Sequence, residues 1–163
     1  MQSWARFLLI LSLVVWVGGI IFFSFVVAPT AFSVLPAQEI AGVVVGQSLG
    51  VLHRIGLACG VIFLAATFLG RFRQGKALRV LIGLMLLSTA FSQFRITPQM
   101  ETIRAAVGGP IQALPRQDAG RATFDRLHKT SVILEGIVLV AGVGAIGILA
   151  RETQASAPSK PRD

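Results

Sequence analysis

A run of 22 residues without a charged side chain, Phe7 to Ala28, constrains the fold more than any other feature of the sequence. A helix of that length spans about 33 Å, which is enough to cross the hydrocarbon core of a bilayer. Further apolar stretches follow it, so the chain stays embedded in a membrane even if the first stretch were removed as a signal peptide. The four predicted spans cover residues 7–28, 49–70, 77–97 and 131–150.

Backbone polar groups in lipid must be satisfied within each span, and spans of this length satisfy them as helices. The predicted fold class is therefore all-α, an integral membrane four-helix bundle that occupies residues 1–150. The tail, residues 151–163, is rich in Ser, Ala, Pro and charged residues and is predicted to be disordered.

The charge content supports the same class. Only 13% of the residues are charged, about half the share of a soluble domain, which excludes a water-soluble globule. The formal charge of +8 comes from bases that bracket the apolar spans, which is typical of membrane-flanking residues rather than of nucleic-acid binding. We expect the lipid bilayer as a partner, a homo-oligomer or a membrane complex as alternatives beyond it, and no nucleic acid. The single cysteine, Cys59, excludes an intrachain disulfide and a cysteine-based zinc site.

The link between the second and third spans predicts the orientation. It contains Arg71, Arg73, Lys76 and Arg79 and no acid. Short basic links stay on the cytoplasmic side of a membrane, so this link and both termini are predicted to face the cytoplasm. The brevity of the chain and the lack of a targeting segment favour a bacterial inner membrane.

Two sequence patterns recur in the two halves of the chain. A Phe-x-x-Phe-x-x-x-Pro pattern closes the first and third spans, where Pro29 and Pro98 are predicted to end the helices. A Leu-His-base pattern then opens the second and fourth spans, with His53 and His128. These patterns raise the hypothesis of a 2+2 internal repeat about an axis along the membrane normal. The alternative is a chance match of residue types that are common in membranes.

Glu135 is the most informative polar residue, because it lies inside the uncharged part of the last span. An ionised carboxylate there costs several kcal/mol unless it is paired or hydrated. Asp125, His128, Ser131 and Glu135 follow one another at steps of three, three and four residues, so they share one helical face. Such a polar stripe predicts a cleft, in which Glu135 serves either function or structural pairing.

Arg95 lies one turn inside Pro98 in the third span, and we expect it to pair with Glu135. His53 and His128 are the only imidazoles, and together they could ligate haem iron, copper or zinc. Interfacial hydrogen bonding of each histidine is the alternative, and no cofactor is the favoured expectation. The predicted ligand-binding residues are thus His53, Arg95, His128, Ser131 and Glu135.

Several short motifs resemble the transmembrane protein 205-like family over residues 7 to 150. They are Trp16-Val17-Gly18-Gly19, Ala28-Pro29, Thr97-Pro98 and Phe124-x-x-Leu127-His128-x-x-Ser131. The resemblance implies a four-helix membrane protein of largely uncharacterised biochemistry. It also implies that Trp16, Gly18, Gly19, Pro29 and Pro98 form its structural motif, and that His128 and Ser131 are further positions of the family pattern.

The Trp-x-Gly-Gly element is also similar to the copper-resistance protein D membrane domain and to the haem-binding membrane protoporphyrinogen oxidases. Both usually carry a histidine about two turns before the tryptophan. This sequence has Phe7-Leu8-Leu9-Ile10 there, so the architecture of these families transfers to this chain better than their activity does.

The sequence predicts a polytopic membrane protein that binds or transports a small ligand or cation through a polar cleft. A haem- or metal-binding oxidoreductase and an accessory subunit of a membrane complex are the alternatives. There is no phosphate-binding loop, nucleophile elbow, HExxH motif or tyrosine, so no catalytic residue is assigned.

Overall fold

The computed structural model describes residues 2–69, 72 and 74–155, and the described part is helical throughout apart from short turns. The predicted all-α four-helix bundle is confirmed. The elements are α1 (Gln2–Phe22), a π-helical segment (Phe23–Val27), α2 (Ala28–Val34), α3 (Gln38–Leu69), α4 (Gly75–Phe91), a second π-helical segment (Ser92–Ile96), α5 (Thr97–Val107), a 3-10 turn (Ile111–Ala113) and α6 (Ala119–Ala155).

These elements join into four rods that are long and apolar enough to cross a membrane: Ser3–Val34, Gln38–Leu69, Gly75–Val107 and Ala119–Arg151. Each has 32 or 33 residues, so each is about 48–50 Å long and exceeds a hydrocarbon core of about 30 Å. The spans predicted from hydropathy are shorter because charged residues end an apolar run without interrupting backbone hydrogen bonds. Of the predicted tail, residues 151–155 continue α6, and residues 156–163 lie outside the described residues.

Large apolar side chains cover the outside of the bundle. Val61, Val80 and Val140 are all more than 60% exposed. A soluble protein rarely leaves so continuous an apolar surface in water. Together with the length of the rods, this surface identifies an integral membrane protein.

The prolines do not end their helices, contrary to the sequence prediction. Pro29 and Pro98 each lie at the second position of the helix that continues the rod. A proline ring inside an α-helix clashes with the carbonyl group four residues earlier. Here the preceding turn widens to a π-helix, in which the Ala28 N–H donates to the Phe23 carbonyl and the Thr97 N–H to the Ser92 carbonyl. The widened turn accommodates the ring, and the rod continues.

The two halves of the chain pack in the same way. Helix α1 lies against α3 as α4 lies against α6, and α2 lies against α3 as α5 lies against α6. Contacts of α3 with α4 and of α1 with α6 close the ring of four rods. In each half, a rod with a π-helical segment before its proline is followed by a rod that is one continuous α-helix. This is the order that a 2+2 arrangement requires.

Trp16 packs at the centre of this bundle and is 1% exposed. Its indole ring lies on α3, where a methyl group added at Gly56 or Gly60 would overlap it. Small residues in membrane helices permit such close approach. In α1, Gly19 faces Leu52 closely, whereas Gly18 has open space around it. The sequence motif therefore combines one glycine at a helix contact with one on the surface.

Gly56→Ala is expected to destabilise the bundle, because the added methyl group overlaps the Trp16 ring. Overpacking of this kind costs about 1–3 kcal/mol. Gly18→Ala is the matched control, since nothing lies within 4 Å of a Cβ there and alanine favours a helix over glycine. Unfolding in mild detergent should show a loss for the first variant and none for the second. Equal effects of the two variants would contradict this packing.

Candidate functional site

Three polar side chains meet near the middle of the rods. His53 lies halfway along α3, Glu135 lies halfway along α6, and Gln93 lies in the second π-helical segment. His53 is only 2% exposed. We call this group, His53, Gln93 and Glu135, the His53 triad.

Both ring nitrogens of His53 have protein partners. Nδ1 lies 3.0 Å from Gln93 Oε1, and Nε2 is in direct hydrogen-bond contact with Glu135 Oε1, which also forms an ion pair when the imidazole is charged. An amide oxygen only accepts, so the Nδ1–H of the ring donates to Gln93. The imidazole thus joins α4's rod to α6 from its position on α3.

A pair of buried hydroxyl groups lies beside the triad. Ser92 Oγ and Ser131 Oγ are 3.4 Å apart, and Ser131 lies one turn before Glu135 on α6. The Thr97 hydroxyl donates to the Ser92 carbonyl across 3.1 Å, which adds a second bond to the widened turn. The π-helical segment therefore supplies two neighbouring polar residues, Ser92 and Gln93, to the same region. Irregular turns of this type are frequent at functional sites.

The polar stripe of α6 runs from the surface to the triad. Asp125 and His128 are exposed, Ser131 is buried, and the Glu135 side chain is 15% exposed. Beyond Glu135 the same side of α6 is buried and apolar, at Val138, Ala141, Ala145 and Leu149. The predicted stripe therefore connects the His53 triad to one end of the bundle only, the end at which α6 begins.

The sequence-predicted residues are brought together only in part. His53 and Glu135 are direct partners, and Ser131 is their neighbour through Ser92. The expected Arg95–Glu135 pair is wrong: Arg95 is exposed, and among the described residues no ion pair joins it to Glu135. The carboxylate has His53 as its partner instead, since that ring lies inside the bundle.

His128 lies apart from the triad. It is exposed and seven residues before Glu135, which is about 10 Å along the helix. A metal or haem held jointly by His53 and His128 would require His53 to release Gln93 or Glu135. In the part of the chain that the structure describes, no group of three or more His, Cys, Asp and Glu side chains could hold a metal ion.

Gln93 is the residue that sequence reasoning missed. Hydropathy treats an amide as a neutral interruption of an apolar run. A buried amide nevertheless needs hydrogen-bond partners, much as a buried carboxylate does. The sequence did contain a signal, because Gln93 is an amide within a predicted span and inside the repeated Phe-x-x-Phe-x-x-x-Pro pattern.

A comparison with protein families gives one match. The model of a domain of unknown function, DUF4149, matches residues 11–108, which is more than half of the chain. The matched region extends from within α1 to the end of α5, so it includes His53 and Gln93 but not Glu135. No curated protein and no solved structure matches the chain.

The pairing within the triad predicts a coupled effect on stability. His53→Ala and Glu135→Ala should each destabilise the bundle, and the double variant should deviate from additivity by about 0.5–3 kcal/mol, since the two side chains share one interaction. Arg95→Ala combined with Glu135→Ala should be additive. Unfolding free energies in detergent test both cycles. Coupling in the Arg95 cycle and additivity in the His53 cycle would contradict the structure.

Thr89 predicts an effect of opposite sign. Its hydroxyl is the one buried side-chain polar atom without a hydrogen-bond partner in the described part of the chain. Thr89→Val keeps the shape and removes that group, so it should stabilise the protein by about 1–3 kcal/mol. Ser92→Ala, which deletes a hydroxyl that has a partner, is the comparison and should not stabilise. A melting temperature lowered by Thr89→Val would show that the hydroxyl is satisfied.

Proposed function

The chain belongs to the DUF4149 family, and we propose that it is a polytopic membrane protein that binds and moves a small cation at the His53 triad. The observation that carries the proposal is the direct contact of an imidazole with a carboxylate inside otherwise apolar rods. Ionisable groups in such surroundings are costly and mark ion or substrate pathways. Glu135 supplies the negative charge that attracts a cation, and His53 neutralises it while the site is closed.

A purely structural role accounts for the triad less well. A buried ion pair contributes little net stability to a fold, because apolar side chains of similar volume often stabilise the same position equally well or better. Elsewhere in the described part of the bundle the core consists of apolar side chains such as Trp16, Phe63 and Met85, and the other buried polar side chains are uncharged hydroxyl groups. A carboxylate, an imidazole and an amide at one level therefore favour a chemical role.

The α6 stripe supports access from one side. Asp125 and His128 at its exposed end offer polar groups to an arriving cation, and Ser131 leads inward to Glu135. In this proposal His128 and Ser131 line the approach and His53 and Glu135 hold the cation. Arg95, exposed near the same end, contributes positive charge that discourages excess cations.

The orientation is part of the proposal. The end of the bundle at which α3 ends and α4 begins carries Lys76 and Arg79, and Arg79 lies over the Phe68 ring at 4.8 Å. Arg71 and Arg73 of the predicted basic link lie outside the described residues. We place this end in the cytoplasm of a bacterial inner membrane, so that the α6 stripe opens on the opposite side. The resemblance to the transmembrane protein 205-like family belongs to the same proposal.

Transport is tested in proteoliposomes with Na⁺, K⁺, H⁺ and Zn²⁺ as probes. Uptake of one of these cations is expected for the wild type, and Glu135→Gln should reduce it to the level of empty liposomes, because the charge that attracts the cation is lost. Glu101→Gln is the matched control, since Glu101 is exposed on α5 away from the triad. Wild-type uptake by a folded Glu135→Gln variant would overturn the proposal.

Two further outcomes would favour the alternatives. Near-stoichiometric iron, copper or zinc in protein purified without added metal, absent from His53→Ala and His128→Ala, would favour a metal- or haem-binding protein. No uptake of any cation together with a partner that co-purifies from the membrane would favour an accessory subunit.

A further inference from the structure

We propose that the cation of the His53 triad is a proton, shared between His53 Nε2 and Glu135 Oε1 and exchanged through the α6 stripe. This inference rests on the proposed function of the same site and names the ion that it takes. Its support comes from the hydrogen-bond roles of the three side chains, from the direct contact between His53 and Glu135, and from the positions of the charged side chains around them.

Gln93 sets the tautomer of the neutral imidazole. Its Oε1 accepts a hydrogen bond from His53 Nδ1, so Nδ1 carries a hydrogen. A neutral imidazole carries only one ring hydrogen, so its Nε2 then has none. Gln93 is therefore a positioning residue, which presents a proton-accepting nitrogen to Glu135.

The contact between Nε2 and Glu135 Oε1 then requires one further proton. With that proton the pair is either imidazolium with carboxylate or neutral imidazole with carboxylic acid, and both arrangements have no net charge. Without it, two lone pairs face each other and the pair carries a charge of −1. With two, the pair carries +1. Because apolar surroundings disfavour net charge, the site holds one proton and releases it only when the contact opens.

The same contact discriminates against metal ions. Zn²⁺ takes nitrogen and oxygen ligands at about 2.0–2.2 Å, and Ca²⁺ takes oxygen at about 2.3–2.6 Å. An ion held by both Nε2 and Oε1 at these distances would have to replace the hydrogen bond between the two atoms, so the side chains would have to rearrange. A proton occupies the contact as it stands.

No other charged side chain in the described part of the chain bonds to the triad. Arg54, next to His53, is exposed and donates to the Gly50 carbonyl of its own helix at 3.1 Å. On α5, Arg104 lies over the Phe124 ring at 5.5 Å. The elements packed around the triad carry further titratable side chains, and apart from Cys59 each of these is exposed or lies towards the end of its rod. Cys59 lies six residues from His53 on α3. The others are Arg6 of α1, Glu39 of α3, Lys76 and Arg79 of α4, Arg95 of the π-helical segment, Glu101 of α5, and Arg121, Asp125, Arg126, His128, Lys129 and Arg151 of α6.

Exchange takes place from the side of the α6 stripe. His128 is exposed at the mouth, and the Ser92–Ser131 hydroxyl pair lies between it and Glu135. Towards the other end, the buried hydroxyl groups of Ser88 and Thr89 come first, and the layer beyond them contains the apolar side chains of Met85, Val138 and Trp16. In this proposal the proton enters and leaves by the stripe because the end of the stripe is exposed, and its passage beyond the apolar layer requires the helices to rearrange.

Nitrogen-15 NMR of histidine-labelled protein in nanodiscs tests the shared proton. The chain has two histidines, so His128→Gln assigns the His53 signals. We expect a protonated Nδ1 and a proton shared by Nε2 in the wild type, loss of that shared proton in Glu135→Gln, and an unchanged spectrum in Glu101→Gln. Gln93→Leu should free the ring to exchange tautomers. A wild-type Nε2 without a shared proton, or an unprotonated Nδ1, would overturn the inference.

Flux measurements separate this inference from the function on which it rests. Proton uptake driven by a pH gradient, lost in Glu135→Gln and kept in Glu101→Gln, supports both. Glu135-dependent uptake of Na⁺, K⁺ or Zn²⁺ without proton movement would overturn the inference that the cation is a proton, but it would agree with the proposed function. A shared proton in the NMR spectrum with no flux of any cation supports the proton as the bound ion and overturns transport.

Discussion

The contact that neutralises the Glu135 carboxylate determines how the polar residues inside this bundle are arranged. A carboxylate inside apolar rods must have a partner, and the partner is the His53 imidazole, which is itself held by Gln93. Three rods are therefore tied at one level by side chains whose hydrogen-bond roles are set by one another. A movement of α3 against α6 would separate Glu135 from its partner.

The widened turn before Pro98 links the fold to this site. The proline ring requires the preceding turn to open, and the opened turn begins with Ser92 and Gln93. The equivalent turn before Pro29 begins with Phe23 and the exposed Ser24, and among the described residues no polar cluster like the triad includes either of them. The two halves thus share a backbone device, and only one half uses it to place polar groups.

Sequence reasoning was sufficient for the fold because the 22-residue uncharged run and its successors leave few architectures in lipid. Glu135 could likewise be recognised from its place in an apolar span. Its partner could not, since the rotation of each rod about its axis is set by packing and by the π-helical turn. The sequence is compatible with either Arg95 or His53 as the partner of Glu135. Only the structure shows that Arg95 is exposed and that His53 is buried inside the bundle.

Infrared difference spectroscopy of the wild type against Glu135→Gln reports on the Glu135 carboxyl group itself, so it shows whether this group shares a proton with His53. We expect a Glu135 band that shifts in D2O and changes again when His53 is replaced by Gln, while His128→Gln leaves it unchanged. A Glu135 band that does not respond to the loss of His53 would show that the two side chains share no proton. The cation site proposed here would then lose its basis.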